Sequence, residues 1–157
     1  MPTTASNNSN ADRSSRNSPG TRHSQRAADI LLREVRFIYS AEFEKKDAER
    51  TILQSSLSGE TRKRRDKPPS DVPGHLLHLW EIPLLNPDEE KGLFRRMNYL
   101  KYRSNVLRSR LNADEPRIRS MDSIERMLGE ANEIRNHIVQ ANTRLVVSIA
   151  RRLKSSW

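Results

Sequence analysis

The chain has 157 residues, 29 Lys and Arg against 20 Asp and Glu, a net charge of +9 and no cysteine. That length fits one modest domain with tails and excludes a large core. The missing cysteines exclude disulfides and thiolate metal sites, and no run approaches the ~20 apolar residues of a membrane span.

Residues 1–26 are rich in Ser, Asn, Thr and Arg and carry a charge of +3, from 4 basic residues and 1 acidic. Too little apolar surface is present to offset chain entropy, so a disordered basic tail is expected, with Pro19-Gly20 as a turn signal. The polar start has no apolar core behind a basic end and so does not read as a secretory signal. A soluble, cytoplasmic protein is expected. Asn7-Asn8-Ser9 matches a glycosylation acceptor only by chance.

Residues 27–57 read as helical. Ile30, Leu31, Val35 and Ile38 mark one face, and Ala48, Ile52 and Leu53 resume it after a break near Tyr39-Ser40. Residues 58–74 form a Pro-rich basic linker holding Arg62, Lys63, Arg64 and Arg65. This cluster reads first as solvated chain, with phosphate binding as the other reading.

A short apolar element, Leu76, Leu77, Leu79, Trp80 and Ile82, opens the last segment, 75–157. A helix start follows. Asn86 suits the N-cap, Pro87 the first helical position, and Glu89 the carboxylate of a capping box. Leu93, Met97, Leu100, Leu107 and Leu111 then share one face, with Ser104 filling its gap. Arg95, Arg96, Lys101, Arg103, Arg108 and Arg110 give this helix a basic exterior.

Residues 112–117 form a loop that Pro116 keeps from continuing as helix. A second helix is expected from about Ser120. Its seam runs Ile124, Leu128, Ala131, Ile134, Ile138, Ala141, Leu145 and Ile149. Asp122 and Arg126 stand as an i,i+4 pair, and the low-propensity Ala141-Asn142-Thr143 is a place for a bend. Val146 and Val147 widen the stripe beyond what one antiparallel partner covers, so the helix calls for more helices or for a binding partner. The fold class expected is all-α: antiparallel helices behind a disordered N-terminal tail.

Chemistry is scarce. His75 and His78 lack the further ligands of a zinc site, and no nucleophile elbow, phosphate loop or carboxylate pair appears. No catalysis, cofactor, metal or small-molecule substrate is expected. The excess of +5 within 75–157, from 15 basic residues and 10 acidic, points towards polyanions such as nucleic acid.

Three stretches carry a family resemblance. Leu76-Leu77-His78-Leu79-Trp80-Glu81-Ile82-Pro83-Leu84-Leu85-Asn86-Pro87-Asp88-Glu89-Glu90 resembles the start of region one-point-two of bacterial RNA polymerase sigma factors of the housekeeping class. Residues 93–102, Leu-Phe-Arg-Arg-Met-Asn-Tyr-Leu-Lys-Tyr, are similar to the planctomycete version of that family, and residues 133–150 resemble its run into region two. The resemblance covers 75–153, about half the chain.

It implies an incomplete sigma region-two helical domain and a role in promoter-dependent transcription initiation, with core RNA polymerase and promoter DNA as partners. By matching positions, His75 and Leu76 would lie near DNA just downstream of the upstream-ten element. Asn142, Arg144 and Leu145 would help wall the pocket for a flipped base of the non-template strand. Val147, Arg151 and Arg152 would belong to the polymerase-docking helix. The residue types suit these tasks: an amide for a base edge, a guanidinium for phosphate, a leucine for a base face. Thr143 replaces the family's usual leucine, and His75 its common aromatic. Lys154-Ser155-Ser156-Trp157 departs from the pattern, so a truncated form is expected. The alternatives are a helical interaction protein that binds polymerase without initiating and a general, salt-sensitive nucleic-acid binder.

Overall fold

In a computed structural model of the chain, residues 19–54, 68, 70, 73–81 and 83–154 are described, without the side chains of Pro19, Arg151 and Lys154. Among them the fold is all-α. It comprises α1 (Pro19–Leu32), a 3-10 turn (Ala41–Glu44), α2 (Ala48–Leu53), a 3-10 segment (Gly74–Trp80), α3 (Pro87–Arg108) and α4 (Ile118–Lys154). The tail before Pro19, the cluster Arg62, Lys63, Arg64 and Arg65, Ile82 and the last three residues lie outside the described residues.

The start of α3 follows from its sequence. Asn86 accepts the Glu89 N–H at 2.8 Å, and Glu89 accepts the Asn86 N–H at 2.8 Å. Both ends of the capping box are therefore made, Pro87 sets the first helical φ, and Asp88, Glu89 and Glu90 face the positive end of the helix. From there Leu93, Met97 and Leu100 pack against Ala131, Ile134 and Ile138 of α4, and this seam is the central core. Ser104, fully buried in the same face, donates to the Lys101 carbonyl at 2.8 Å and so enters the core without an unpaired hydroxyl.

The other elements dock on this hairpin. Ala27 and Ile30 of α1 pack on Met121 and Ile124 of α4. Phe43, Ala48 and Ile52 pack on Tyr99 of α3. Leu79 and Trp80 form a fourth small cluster with Leu76 and Val147.

Ion pairs follow the same contacts. Arg26 donates from Nη2 to Asp122 at 2.6 Å and to Glu125 at 2.6 Å. Arg95 forks onto Glu42 at 2.8 and 2.6 Å, Arg96 pairs with Glu130, and Arg103 reaches Glu49 at 3.5 Å.

Several sequence expectations change. The disordered tail does not extend to residue 26, because α1 begins at Pro19. Proline suits a first helical position as well as a turn, and Ala27, Ile30 and Arg26 give the polar turn before them something to hold. Val35 and Ile38 are not helical. Residues 34–40 run outside regular structure, where the Ile38 N–H donates to Asn98 Oδ1 at 2.9 Å instead of to a helix carbonyl. Phe37 and Tyr39 meet the ring of Tyr102 edge-on at 5.9 and 6.1 Å, so tertiary contacts outweigh the helical period here. α4 starts at Ile118, two residues before Ser120. Asp122 serves Arg26 rather than Arg126, since Arg26 spans two carboxylates at once.

The helix also runs unbroken through Ala141-Asn142-Thr143, where Asn142 and Thr143 donate to the carbonyls of Ile138 and Val139.

Two outcomes follow for stability. Leu100→Ala should lose ~3 kcal/mol in urea unfolding because the hairpin closes around this side chain, whereas Val146→Ala, at an exposed site, should change it by less than ~0.5 kcal/mol. The second concerns pH. Arg95 holds the Glu42 carboxyl below its ordinary value, and Arg26 does the same to Glu125. A carboxyl with a depressed folded pKa contributes stability above its unfolded value, about 4.3, and loses it as pH falls through the folded one. The melting temperature should hold steady from about pH 7 to 5 and fall below about pH 4.3. Glu42→Gln combined with Glu125→Gln should flatten that fall.

Candidate functional site

The residues singled out by the sequence come from two distant stretches, and the fold brings these together. The 3-10 segment carrying His75 and Leu76 lies against the last third of α4. Leu76 and Val147 pack against its buried Leu79 and Trp80. The Arg144 guanidinium carbon stands 5.1 Å from the Trp80 ring centroid, a cation–π contact. Across the sequence, 64 positions separate the arginine from the ring that receives it.

Asn142 sits one turn before Val146 and half-buried. Its Nδ2 donates to Glu90 Oε1 at 3.1 Å and to the Ile138 carbonyl at 3.1 Å. The amide thus clasps the first turn of α3 to α4, and Glu90 is engaged both as a helix-end carboxylate and as this acceptor. His75 is exposed, and its carbonyl lies 2.8 Å from Nδ1 of His78. The two histidines stay within their own turn. Among the described residues no group of three or more His, Cys, Asp or Glu is arranged to hold a metal ion.

The set splits by exposure. Leu145 is 54% exposed, and Arg152 is exposed as well. Val147 is half-buried under Leu79 and Trp80, so its apolar face already has a partner within the chain. Arg151 is on the same helix, and its side chain lies outside the described residues.

Sequence reasoning missed Trp80 and Glu90 as the receivers of Arg144 and Asn142. The signal available was small: an indole in a short apolar element, and a helix-start carboxylate that also suits its own helix end.

The basic exterior expected on α3 is largely spent inside the molecule. Arg95, Arg96 and Arg103 pair with Glu42, Glu130 and Glu49. Arg108 donates to the Arg33 carbonyl just past the end of α1, where a cation meets the negative end of that helix. Four of the six cations expected there thus hold the N-terminal elements and α4 in place, and the sixth, Arg110, falls just past the end of α3 at Arg108.

Comparison with protein-family models, with curated proteins and with solved structures gives no match.

Arg144→Ala in a Trp157→Phe background should shift Trp80 emission to the red and lower stability by ~1 kcal/mol, because the ring loses its cationic cover. Unchanged emission and stability would show that the contact does not form in solution.

Proposed function

We propose that this chain is a sigma-type transcription initiation factor that works on core RNA polymerase and meets promoter DNA within that complex. One observation carries the reading. The segments that resemble sigma regions one-point-two and two, far apart in sequence, meet through Arg144 on Trp80 and Val147 on Leu79. A chain that bound a melted strand with both segments would need this adjacency.

The chemistry available there fits a single strand better than a duplex. Leu145 is exposed enough to cover a base face, with Arg144, stacked on Trp80, next to it and Arg152 two turns further on. Asn142 would donate to a base edge only by giving up Glu90 or the Ile138 carbonyl, so part of the binding energy would go into breaking that contact. Since α3 commits Arg95, Arg96 and Arg103 to carboxylates, general affinity for duplex DNA should be low without polymerase.

A second reading has its own observation: a helical interaction protein that occupies polymerase without initiating. Asn142 and Arg144 are held within the chain, and the apolar side chains beyond them are exposed. That balance favours a protein partner over DNA.

Co-elution of the purified chain with bacterial core RNA polymerase on a sizing column tests both readings. A complex that crosslinks to single-stranded non-template DNA, weakened about tenfold by Leu145→Ala with Arg144→Ala, supports the initiation factor, about 1.4 kcal/mol of binding. A complex with no DNA crosslink supports the interaction protein. No complex at all contradicts both.

A further inference from the structure

We propose that the cleft between residues 33–36, α3 and α4 binds a small phosphate monoester with an apolar body, of the charge and size of a nucleoside monophosphate. This goes beyond the polymerase reading and does not rest on it, since none of the residues named for that reading lines the cleft.

Three stretches of chain make the walls. Glu125, Leu128, Gly129 and Asn132 stand on one face of α4, at i, i+3, i+4 and i+7. Lys101 comes from α3, and the irregular segment 33–36 forms the third wall. That segment is tied on both sides. The Arg33 carbonyl accepts from Arg108, and the Ile38 N–H donates to Asn98 Oδ1 at 2.9 Å. The cleft is therefore formed without a ligand, which lowers the ordering cost of binding. Its volume of about 520 Å³ lies within the ~300–1,000 Å³ of small-molecule sites.

Gly129 points the same way. A glycine inside a helix is less stable than alanine. Its φ is not positive, and a Cβ at this position would meet nothing within 4 Å. Among the described residues nothing calls for the missing side chain, and the space it leaves belongs to the cleft.

The charges select the ligand. Both carboxylates of the cleft are already engaged: Arg36 forks onto Glu34 at 2.7 and 3.0 Å, and Arg26 onto Glu125 at 3.2 and 2.6 Å. Lys101 is half-buried, and among the described residues its ammonium has no ion pair or hydrogen bond. Arg33 forks onto no carboxylate, though its charge reaches Glu125, whose carboxyl is lowered first by Arg26 and further by Arg33. Two cations suit a phosphate monoester, which carries about −1.5 to −2 at neutral pH. The guanidinium can grip two of its oxygens and the ammonium the third. A phosphodiester in a nucleic-acid strand brings only one charge per phosphate. Half-buried Val35 and Leu128 offer apolar wall to a ring, and the exposed Asn132 amide can donate or accept at its edge. Inorganic phosphate would leave that wall in water.

The test titrates the isotope-labelled full chain with AMP and reads backbone amide shifts. The amides of Glu34, Gly129 and Asn132 should shift and saturate, with AMP bound about tenfold tighter than adenosine or inorganic phosphate. Lys101→Gln should weaken AMP binding about tenfold with circular dichroism unchanged. Gly129→Leu should abolish binding while the melting temperature holds or rises, because a good helix former then fills space that no neighbour occupies. No saturable shift, equal affinity for AMP and inorganic phosphate, or binding untouched by Lys101→Gln and Gly129→Leu would overturn the proposal. So would displacement of AMP by a single-stranded oligonucleotide without a terminal phosphate, which would assign the cleft to nucleic acid. Polymerase co-elution enters none of these readouts, so the two failures are distinguishable.

Discussion

The structure depends on one seam, where Leu93, Met97 and Leu100 of α3 close on Ala131, Ile134 and Ile138 of α4. Neither helix could hold its form on propensity alone, since much of a helix's stability in a protein comes from its packed face. The capping box at Asn86 and Glu89 fixes where α3 begins, and so fixes how far along α4 the seam can be covered. Everything beyond Asn142 on α4 must find cover elsewhere. The 3-10 segment supplies it on one side, through Trp80 and Leu79, and the remaining side stays open.

The N-terminal elements act as a brace on this hairpin. They bring carboxylates to the arginines of α3, an arginine to the carboxylates of α4, and aromatic rings to Tyr99 and Tyr102. Asn98 is a further anchor. It is buried, accepts from the Ile38 backbone and donates to the Phe94 carbonyl. A satisfied buried amide of this kind fixes the position of the segment more than it adds to stability. The consequence for function is one of charge. A net charge of +9 reads as a nucleic-acid signal, yet Arg95, Arg96, Arg103 and Arg108 of α3 are used to hold the fold. What the end of α4 presents instead is a set of exposed apolar side chains, Leu145, Val146, Ile149 and Leu153, a chemistry suited to protein contact.

Where a single local rule decides the outcome, the sequence was readable. Asn-Pro-Asp-Glu-Glu announces a helix start, and the spacing of Leu93, Met97 and Leu100 announces its inner face. The long seam of α4 was legible for the same reason, though its period could not say that Ala141 is buried while Leu145 and Ile149 stand in solvent. That depends on where the partner helix begins. Val35 and Ile38 fit a helical period and are not helical, because Phe37, Tyr39 and Asn98 reward an irregular path. Arg26 was placed in a tail, since nothing local shows that Asp122 and Glu125 wait 96 and 99 residues away. At the candidate site, Arg144 and Asn142 were visible as residues of interest, while Trp80 and Glu90 as their partners were not. Contacts between distant segments leave no period to read.

Amide hydrogen exchange along α4 of the isolated chain tests the central claim most directly, that this helix is stabilised only as far as its partners cover it. The account predicts slow exchange from Met121 to Ala141, where α1 and α3 pack, and markedly faster exchange from Val146 onward. Uniform protection along the whole helix would mean that the exposed end is stable without cover. Fast exchange throughout would mean that the α3–α4 seam does not form the core.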